Sequence, residues 1–377
     1  MGSRFLNAVF LIAGTAIGAG VIALPLSSAN LNFIQILCLM GIGFFVAYQS
    51  SCMAIDLSMH VGKGTGIAEL SKRLSGKWAF AISIASFYGL SFAVLSAYFA
   101  GITDTVESLF EIPRTCITLL CGGGLAAMLL ARLKVFDRLN AILFAVLMLA
   151  LMAITFGIYN FEPSRLVDLK SESKDVFYFI PIVFTSFGVQ NICAHICGYL
   201  EMDKAKIKRA FKVGILIPAV VYAVWIFTVL MSIQISDISF LSKVREHQVG
   251  AGELIEFLCR NTKLTMASGI FKILTFTAMA TSAIGIGIGL LDSIRETYIK
   301  NKIFATAAVT AIPLLVAIFL PHAFISILSF GAMIATVFVV FIPYFLLHKI
   351  DRSQTWKCRF VLCILFATAV VLCELCG

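Results

Sequence analysis

The sequence predicts an all-α polytopic membrane protein, and three observations carry that prediction. Of its 377 residues, 60% are hydrophobic and only 13% are charged, whereas a soluble globular chain has about 25% charged residues. The mean hydropathy is +1.00. The apolar residues also fall into repeated runs of roughly 20 or more, each long enough to cross a bilayer as a helix. The short alternating segments of a β-barrel do not occur.

Taken in order, hydropathy places eleven spans at 5–29, 32–58, 79–109, 115–132, 138–159, 176–199, 211–234, 265–292, 302–320, 322–347 and 359–376. The first is no cleavable signal: its apolar region is too long and only Arg4 precedes it. The whole chain, 1–377, reads as one transmembrane domain with no soluble domain at either end. Its function is therefore expected within the membrane.

Most of the 29 basic residues gather on one side if the N-terminus is cytoplasmic. That side holds Arg4, then Lys63, Lys72, Arg73 and Lys77, then Arg132, Lys134 and Arg138, then the cluster from Lys204 to Lys212, then Arg295, Lys300 and Lys302, and last Lys349, Arg352, Lys357 and Arg359. An odd number of spans then puts the C-terminus outside. The net charge of +9 follows from this topology. The lipid bilayer is the expected surrounding, and no nucleic-acid partner is called for.

Eleven cysteines lie mostly in or beside spans, Cys38, Cys52, Cys193, Cys197, Cys363 and Cys373 among them, where cysteine behaves as a small hydrophobe. No pair has metal-site spacing with a partner. The five histidines, 60, 195, 247, 322 and 348, are scattered. No nucleophile and base, and no phosphate-binding loop, can be read. Neither an enzyme nor a cofactor is expected.

Two connecting segments have a helical pattern of their own. "GIAELSKRLSGKW" places Ile67, Leu70, Leu74 and Trp78 on one face, which predicts a short helix on the cytoplasmic interface. "AGELIEFLCRN" groups Leu254, Ile255 and Leu258, which predicts an outer loop helix.

The interruptions inside spans carry more. "GTAIGAGVIALP" brings Gly14, Gly18, Gly20 and Pro25 into the first span. Small residues four apart also serve close helix packing, so this stretch alone leaves packing and unwinding both open. A second interruption, "FTSFGVQN" from Phe184 to Asn191, lies at the middle of span six. Spans one and six each begin a group of five. Paired breaks at matching positions point to an inverted-repeat transporter with its site at the midplane. Exposed N–H groups at one half-helix hold a carboxylate, and freed carbonyls at another hold an ammonium or a cation. An amino acid presents both charges from one carbon.

With "MATSAIGIGIGLLD" in span eight, these stretches and the eleven-span layout resemble the hydroxy/aromatic amino acid permeases, the tryptophan and tyrosine transporters of bacteria, over essentially the whole chain. The resemblance implies the amino acid/polyamine/organocation superfamily and a LeuT-type fold: two inverted groups of five, 5–159 and 176–347, with an additional helix at 359–376. It also implies a bacterial inner-membrane location, with spans one and six discontinuous.

The resemblance assigns roles as well. The turn Gly18-Ala19-Gly20 would present N–H groups to a substrate carboxylate. The carbonyls of Ala16, Phe184 and Phe187 would take the α-ammonium. The pocket would be lined by Phe184, Thr185, Phe187, Gly188, Gln190 and Asn191 from span six and by Tyr88, Ser91 and Phe92 from span three. Aromatic walls with Gln190 or Asn191 as a polar partner suit a ring bearing a hydroxyl or an indole N–H. In sodium-coupled relatives the cation lies between spans one and eight, which here corresponds to the carbonyls of Gly14, Ile17 and Ala278 and the hydroxyls of Thr281 and Ser282. The family is regarded as proton-coupled, yet no Asp, Glu or Lys lies in the middle of spans one, five, six or eight. Asp56, Asp104, Glu107 and His195 are the nearest ionisable groups.

The resulting expectation is a symporter of an aromatic amino acid, tyrosine first and tryptophan or phenylalanine next, driven by protons. The alternatives are a sodium-coupled carrier of a small neutral or hydroxy amino acid, and a non-transporting amino-acid receptor on the same fold.

Overall fold

The computed structural model describes residues 2–18, 20–61, 67–107, 113–158, 175–262, 266–320, 331–350 and 354–376. These residues are helical, with no strand among them. In chain order the helices are α1 (Gly2–Ala16), α2 (Gly20–Ser27), α3 (Phe33–Val61), α4 (Ile67–Glu107), α5 (Arg114–Leu130), α6 (Leu133–Ile158), α7 (Asp175–Ser186) and α8 (Cys193–Tyr199). There follow α9 (Lys204–Ser236), α10 (Ile238–Arg245), α11 (Ala251–Arg260), α12 (Ala267–Thr297) and α13 (Lys302–Phe319). The last two are α14 (Gly331–Ile350) and α15 (Gln354–Cys376).

Eight of the described segments are long and apolar enough to cross a membrane. The bent pair α1 and α2 makes a ninth, and α5 and the Val361–Cys373 part of α15 are shorter apolar helices. These segments fall where hydropathy places the eleven spans. The first span is broken, its two halves inclined at 48°. Pro25 lies inside α2, past the break. Span six is interrupted too: α7 stops at Ser186, and a single 3-10 turn, Gln190–Ile192, precedes α8.

The broken span runs through the middle of the bundle. α1 packs against α6, α9 and α12, while α2 packs against α7 and α9. α12 is the most enclosed helix, with every residue from Thr281 to Leu291 buried. It contacts α4, α6 and the 3-10 turn. At Gly289 the Asn191 carbonyl lies where a Cβ would be, so this glycine lets the second break seat against α12. α15 covers α3 and α7.

Both connecting helices form, with one change. α11 buries Leu254 and Leu258 and packs on α2 and α12 as its pattern requires. The segment before span three is helical but runs on into that span through a kink at Gly76, whose φ is +82°. Trp78 falls beyond the kink and is 84% exposed, so it does not share a buried face with Leu74. The helix is tied to the span instead by Ser71 and Ser83, whose hydroxyls are 2.7 Å apart. None of the nine cysteines described is joined in a disulfide.

Candidate functional site

A helix end leaves carbonyls without partners, and in an apolar bundle each needs a donor. At the end of α1 those donors come from α9 and α12. The Ser282 hydroxyl lies within reach of three carbonyls, Gly14 at 3.2 Å, Thr15 at 3.0 Å and Ile17 at 3.3 Å. Tyr222, fully buried on α9, donates its hydroxyl proton to the Ala16 carbonyl at 2.8 Å and accepts from the Gly18 N–H at 3.3 Å. Trp225, one turn further on, donates to the Val21 carbonyl at 2.5 Å. The unwound stretch is thus bridged by side chains at least 204 positions away in sequence.

The glycines are required by this bracing. A Cβ on Gly18 would lie 2.6 Å from both the Ser282 and the Tyr98 hydroxyl oxygens. One on Gly20 would lie 2.5 Å from the Ser186 hydroxyl and 2.7 Å from that of Tyr222. Those spacings are below any tolerable carbon contact. Four hydroxyl groups therefore close on the turn. Ala19, named with these two from the sequence, lies outside the described residues.

At the second break the Gly188 N–H donates to the Thr185 carbonyl at 3.1 Å. The Gln190 side chain then folds back: its Oε1 accepts from the Val189 N–H at 3.0 Å, and its Nε2 donates to Ser50 on α3 at 2.7 Å. Gln190 is thereby engaged with the scaffold. Asn191 makes no side-chain hydrogen bond among the described residues. Phe187 meets Tyr222 edge-on at 6.1 Å, and Phe184 faces Phe366 of α15 at 6.2 Å.

Between the two breaks lies a cavity of about 250 Å³. One water needs roughly 15 Å³, so the space accepts a molecule rather than scattered solvent. Ala16, Gly20, Phe184, Thr185, Phe187, Gly188, Gln190 and Asn191 all line it, as does Ser186. Gly18 sits behind, with its N–H taken up by Tyr222 and Ala16. Gly20, the first residue of α2, lines the cavity, and the start of a helix carries unpaired N–H groups and a partial positive charge. The described lining contains no Asp, Glu, Lys or Arg.

From α4 the lining residues are Leu90, Val94 and Tyr98, four apart and hence on one helical face. Tyr88, Ser91 and Phe92 are not among them. Tyr88 instead accepts from Ser293 at 3.3 Å and meets Phe92 and Tyr298 edge-on, and the Ser91 hydroxyl is buried with no hydrogen-bond partner among the described residues. The family resemblance points to Tyr88, Ser91 and Phe92, whereas the register of α4 turns another stripe to the cavity. Tyr98 and Tyr222 were legible only as hydroxyls deep in apolar spans.

The positions matching a sodium site divide into two groups. Gly14, Ile17 and Ser282 come together across the α1–α12 contact. On α12 itself, the Thr281 hydroxyl bonds back to the Thr277 carbonyl at 2.8 Å and the Ala278 carbonyl at 3.1 Å. The two helices are close here, since a Cβ on Gly14 would lie 3.3 Å from that of Thr281. Hard cations take shells of such oxygens.

The cavity extends towards the end of the bundle that carries α10 and α11, where Val244, His247 and Tyr178 also line it. The rings of Tyr178 and His247 meet there at a tilt, 4.8 Å apart. The other end, which holds Arg4, is closed by polar contacts. Asp56 pairs with Lys204 at 3.0 Å and Lys208 at 2.9 Å. Tyr199 donates to Asp137 at 2.7 Å, and Arg4 pairs with Glu201. His195 of α8 contacts Asp292 of α12 at 2.6 Å. Glu107 pairs with Arg114 at 2.9 Å, and the Asp104 side chain lies outside the described residues.

Two helix breaks thus face one cavity whose described lining holds no Asp, Glu, Lys or Arg, and similarity gives the class. Residues 1–376 match the tryptophan/tyrosine permease family. The chain belongs to that family. The permease is 23% identical to glutamine transporter 2 of Aliivibrio fischeri, over 94% of this chain and 91% of that one. It is 24% identical to the tryptophan-specific transport protein of Haemophilus influenzae, over 93% and 88%. It is also 24% identical to tyrosine-specific transport system 1 of the same organism, over 93% and 90%. These relatives are named as transporters, none as an enzyme. Among solved structures the permease resembles the Eremococcus coleocola manganese transporter, with a TM-score of 0.66 at 12% identity over 99% of this chain and 85% of that one. The fold is the LeuT-like one expected from the sequence.

Proposed function

We propose that this permease is a secondary active importer of an aromatic amino acid, tyrosine first, driven by protons. The observation that carries the proposal is the uncharged cavity between the two breaks, walled by Phe184 and Phe187. A zwitterion there must be held by backbone ends. The Gly20 N–H at the start of α2 suits its carboxylate, and the carbonyl ends of α1 and α7 suit its ammonium. A ring lies against the phenylalanines. With Gln190 engaged by α3, Asn191 becomes the partner for a phenolic hydroxyl.

In this reading 5–159 and 176–347 are inverted repeats that rock about the site, with the N-terminus cytoplasmic and the C-terminus periplasmic in the inner membrane of a bacterium. The cavity then faces outward and the Arg4 end is the closed inner gate. Sodium coupling is the second reading, and the oxygens gathered around Ser282 favour it.

The test is uptake of labelled tyrosine into proteoliposomes, first under a pH gradient and then under a sodium gradient alone. Accumulation under the pH gradient, inhibited by excess tryptophan or phenylalanine, is the expected result. Accumulation under neither gradient overturns the symporter. Competition by serine or glutamine but not by tyrosine overturns the substrate.

A further inference from the structure

We propose that His195 and Asp292 together carry the coupling proton and latch the closed end of the bundle. The proposal rests on the proton-coupled reading above, which assigns no proton carrier. His195 Nδ1 and an Asp292 carboxylate oxygen are 2.6 Å apart and join α8 to α12. Their side chains are 14% and 29% exposed. Enclosing such a pair in a membrane bundle is costly compared with apolar residues, so it marks a task rather than stability.

The place is suited to that task. Asp292 is six residues beyond the cavity-lining Ile286 on α12, about 9 Å at a helical rise of 1.5 Å per residue. His195 stands one helical turn beyond the cavity-lining Asn191. The pair lies between the cavity and the Arg4 end, across the contact between the broken span six and α12 that opening of that end must part.

Several charges near this end have partners of their own. From α3, Asp56 is held by Lys204 and Lys208 of α9. From α6, Asp137 accepts from Tyr199, whose ring stacks on His195 at 6.1 Å. From α1, Asn7 reaches Tyr199 at 3.5 Å, and Arg4 pairs with Glu201. On α12, Ser293 beside Asp292 donates to Tyr88 of α4. Of these acids Asp292 is the one in direct contact with an imidazole.

The cycle uses one added proton. While the pair holds a single proton, imidazolium and carboxylate attract and keep α8 against α12. A second proton, arriving from the cavity onto the Asp292 carboxylate, leaves an imidazolium beside a neutral carboxyl. The attraction is lost and α8 parts from α12. Release of that proton at the opposite side restores the carboxylate and the latch, so the empty carrier returns shut at that end.

The experiment compares two assays in proteoliposomes: accumulation of labelled tyrosine under a pH gradient, and counterflow of labelled against unlabelled tyrosine at equal pH. Wild type is expected to do both. Asp292→Asn cannot take the proton and is expected to lose accumulation while keeping counterflow, and His195→Gln is expected to do the same. Asp292→Glu restores the carboxyl and is expected to recover accumulation. If Asp292→Asn and His195→Gln accumulate as well as wild type, the proposal is overturned. Loss of counterflow in all three variants makes the pair structural and overturns it too. A wild type driven by sodium alone removes the proton reading itself, which the wild-type arm reveals before any variant is examined.

Discussion

The Tyr222 hydroxyl stands between Ala16 and Gly18, giving its proton to the carbonyl of one and accepting the N–H of the other. A residue of α9 thereby does for the broken span what the next helical turn would otherwise do. Tyr222→Phe removes both bonds and keeps the ring that Phe187 meets edge-on. A buried polar group left unsatisfied costs about 1–3 kcal/mol. The variant should therefore melt lower in detergent and bind tyrosine more weakly. Unchanged melting and affinity would show that the turn holds itself.

The glycine at the turn should tolerate no side chain. In Gly18→Ala the added methyl meets two hydroxyl oxygens at 2.6 Å, and overpacking costs typically about 1–3 kcal/mol. Uptake is expected to fall steeply, and Gly18→Leu should abolish binding. Gly41, which has nothing within 4 Å of such a methyl, supplies the control: Gly41→Ala should transport as wild type does.

The coupling ion can be read from two neighbouring hydroxyls. Ser282 supplies a donor to α1, while Thr281 bonds within its own helix. With protons as the driving ion, Thr281→Val should keep pH-driven uptake and Ser282→Ala should lower stability. If both variants lose uptake and wild type needs sodium, the oxygens of this contact hold that ion.

Asn191 and Gln190 should separate cleanly. Asn191→Ala is expected to raise the KM for tyrosine while sparing phenylalanine, because a neutral hydrogen bond is worth about 0.5–1.5 kcal/mol. Gln190→Ala, which releases Ser50 and the Val189 N–H, should lower stability and affect both substrates alike. Equal losses for tyrosine and phenylalanine in Asn191→Ala would remove its assigned role.

The mouth of the cavity depends on an acid outside the membrane. Asp237 caps α10 by accepting from the Ser239 and Phe240 N–H groups at 2.8 and 3.0 Å. The Ser239 hydroxyl first, and these backbone donors next, hold its carboxyl below the usual carboxylate range. A lowered folded pKa means that the cap contributes at neutral pH and is lost as pH falls through that lowered value. Amide hydrogen exchange at 239–241 should stay slow into mildly acidic solution and speed up only below it. Asp237→Ala should exchange fast at every pH.

What the sequence made legible follows from how local each feature is. Hydropathy and glycine placement are properties of one segment, so the spans and both breaks could be read directly. Ser282 could be read because it stands in a motif. Tyr222, Trp225 and Asp292 act across helices, and nothing in their own segments says which neighbour each will meet. The choice of Leu90, Val94 and Tyr98 over Tyr88, Ser91 and Phe92 turns on the rotation of α4 about its axis. That rotation is set by packing against α12 and α13, and the composition of α4 does not contain it.

The wall without Asp, Glu, Lys or Arg has an electrical consequence. Moving one elementary charge through the membrane field is worth about 2.3 kcal/mol per 100 mV. A cavity with no fixed charge, filled by a ligand of zero net charge, gives the membrane voltage nothing to pull on whether it moves full or empty. Any current that accompanies transport then belongs wholly to the driving ion, and its size counts the ions moved per substrate.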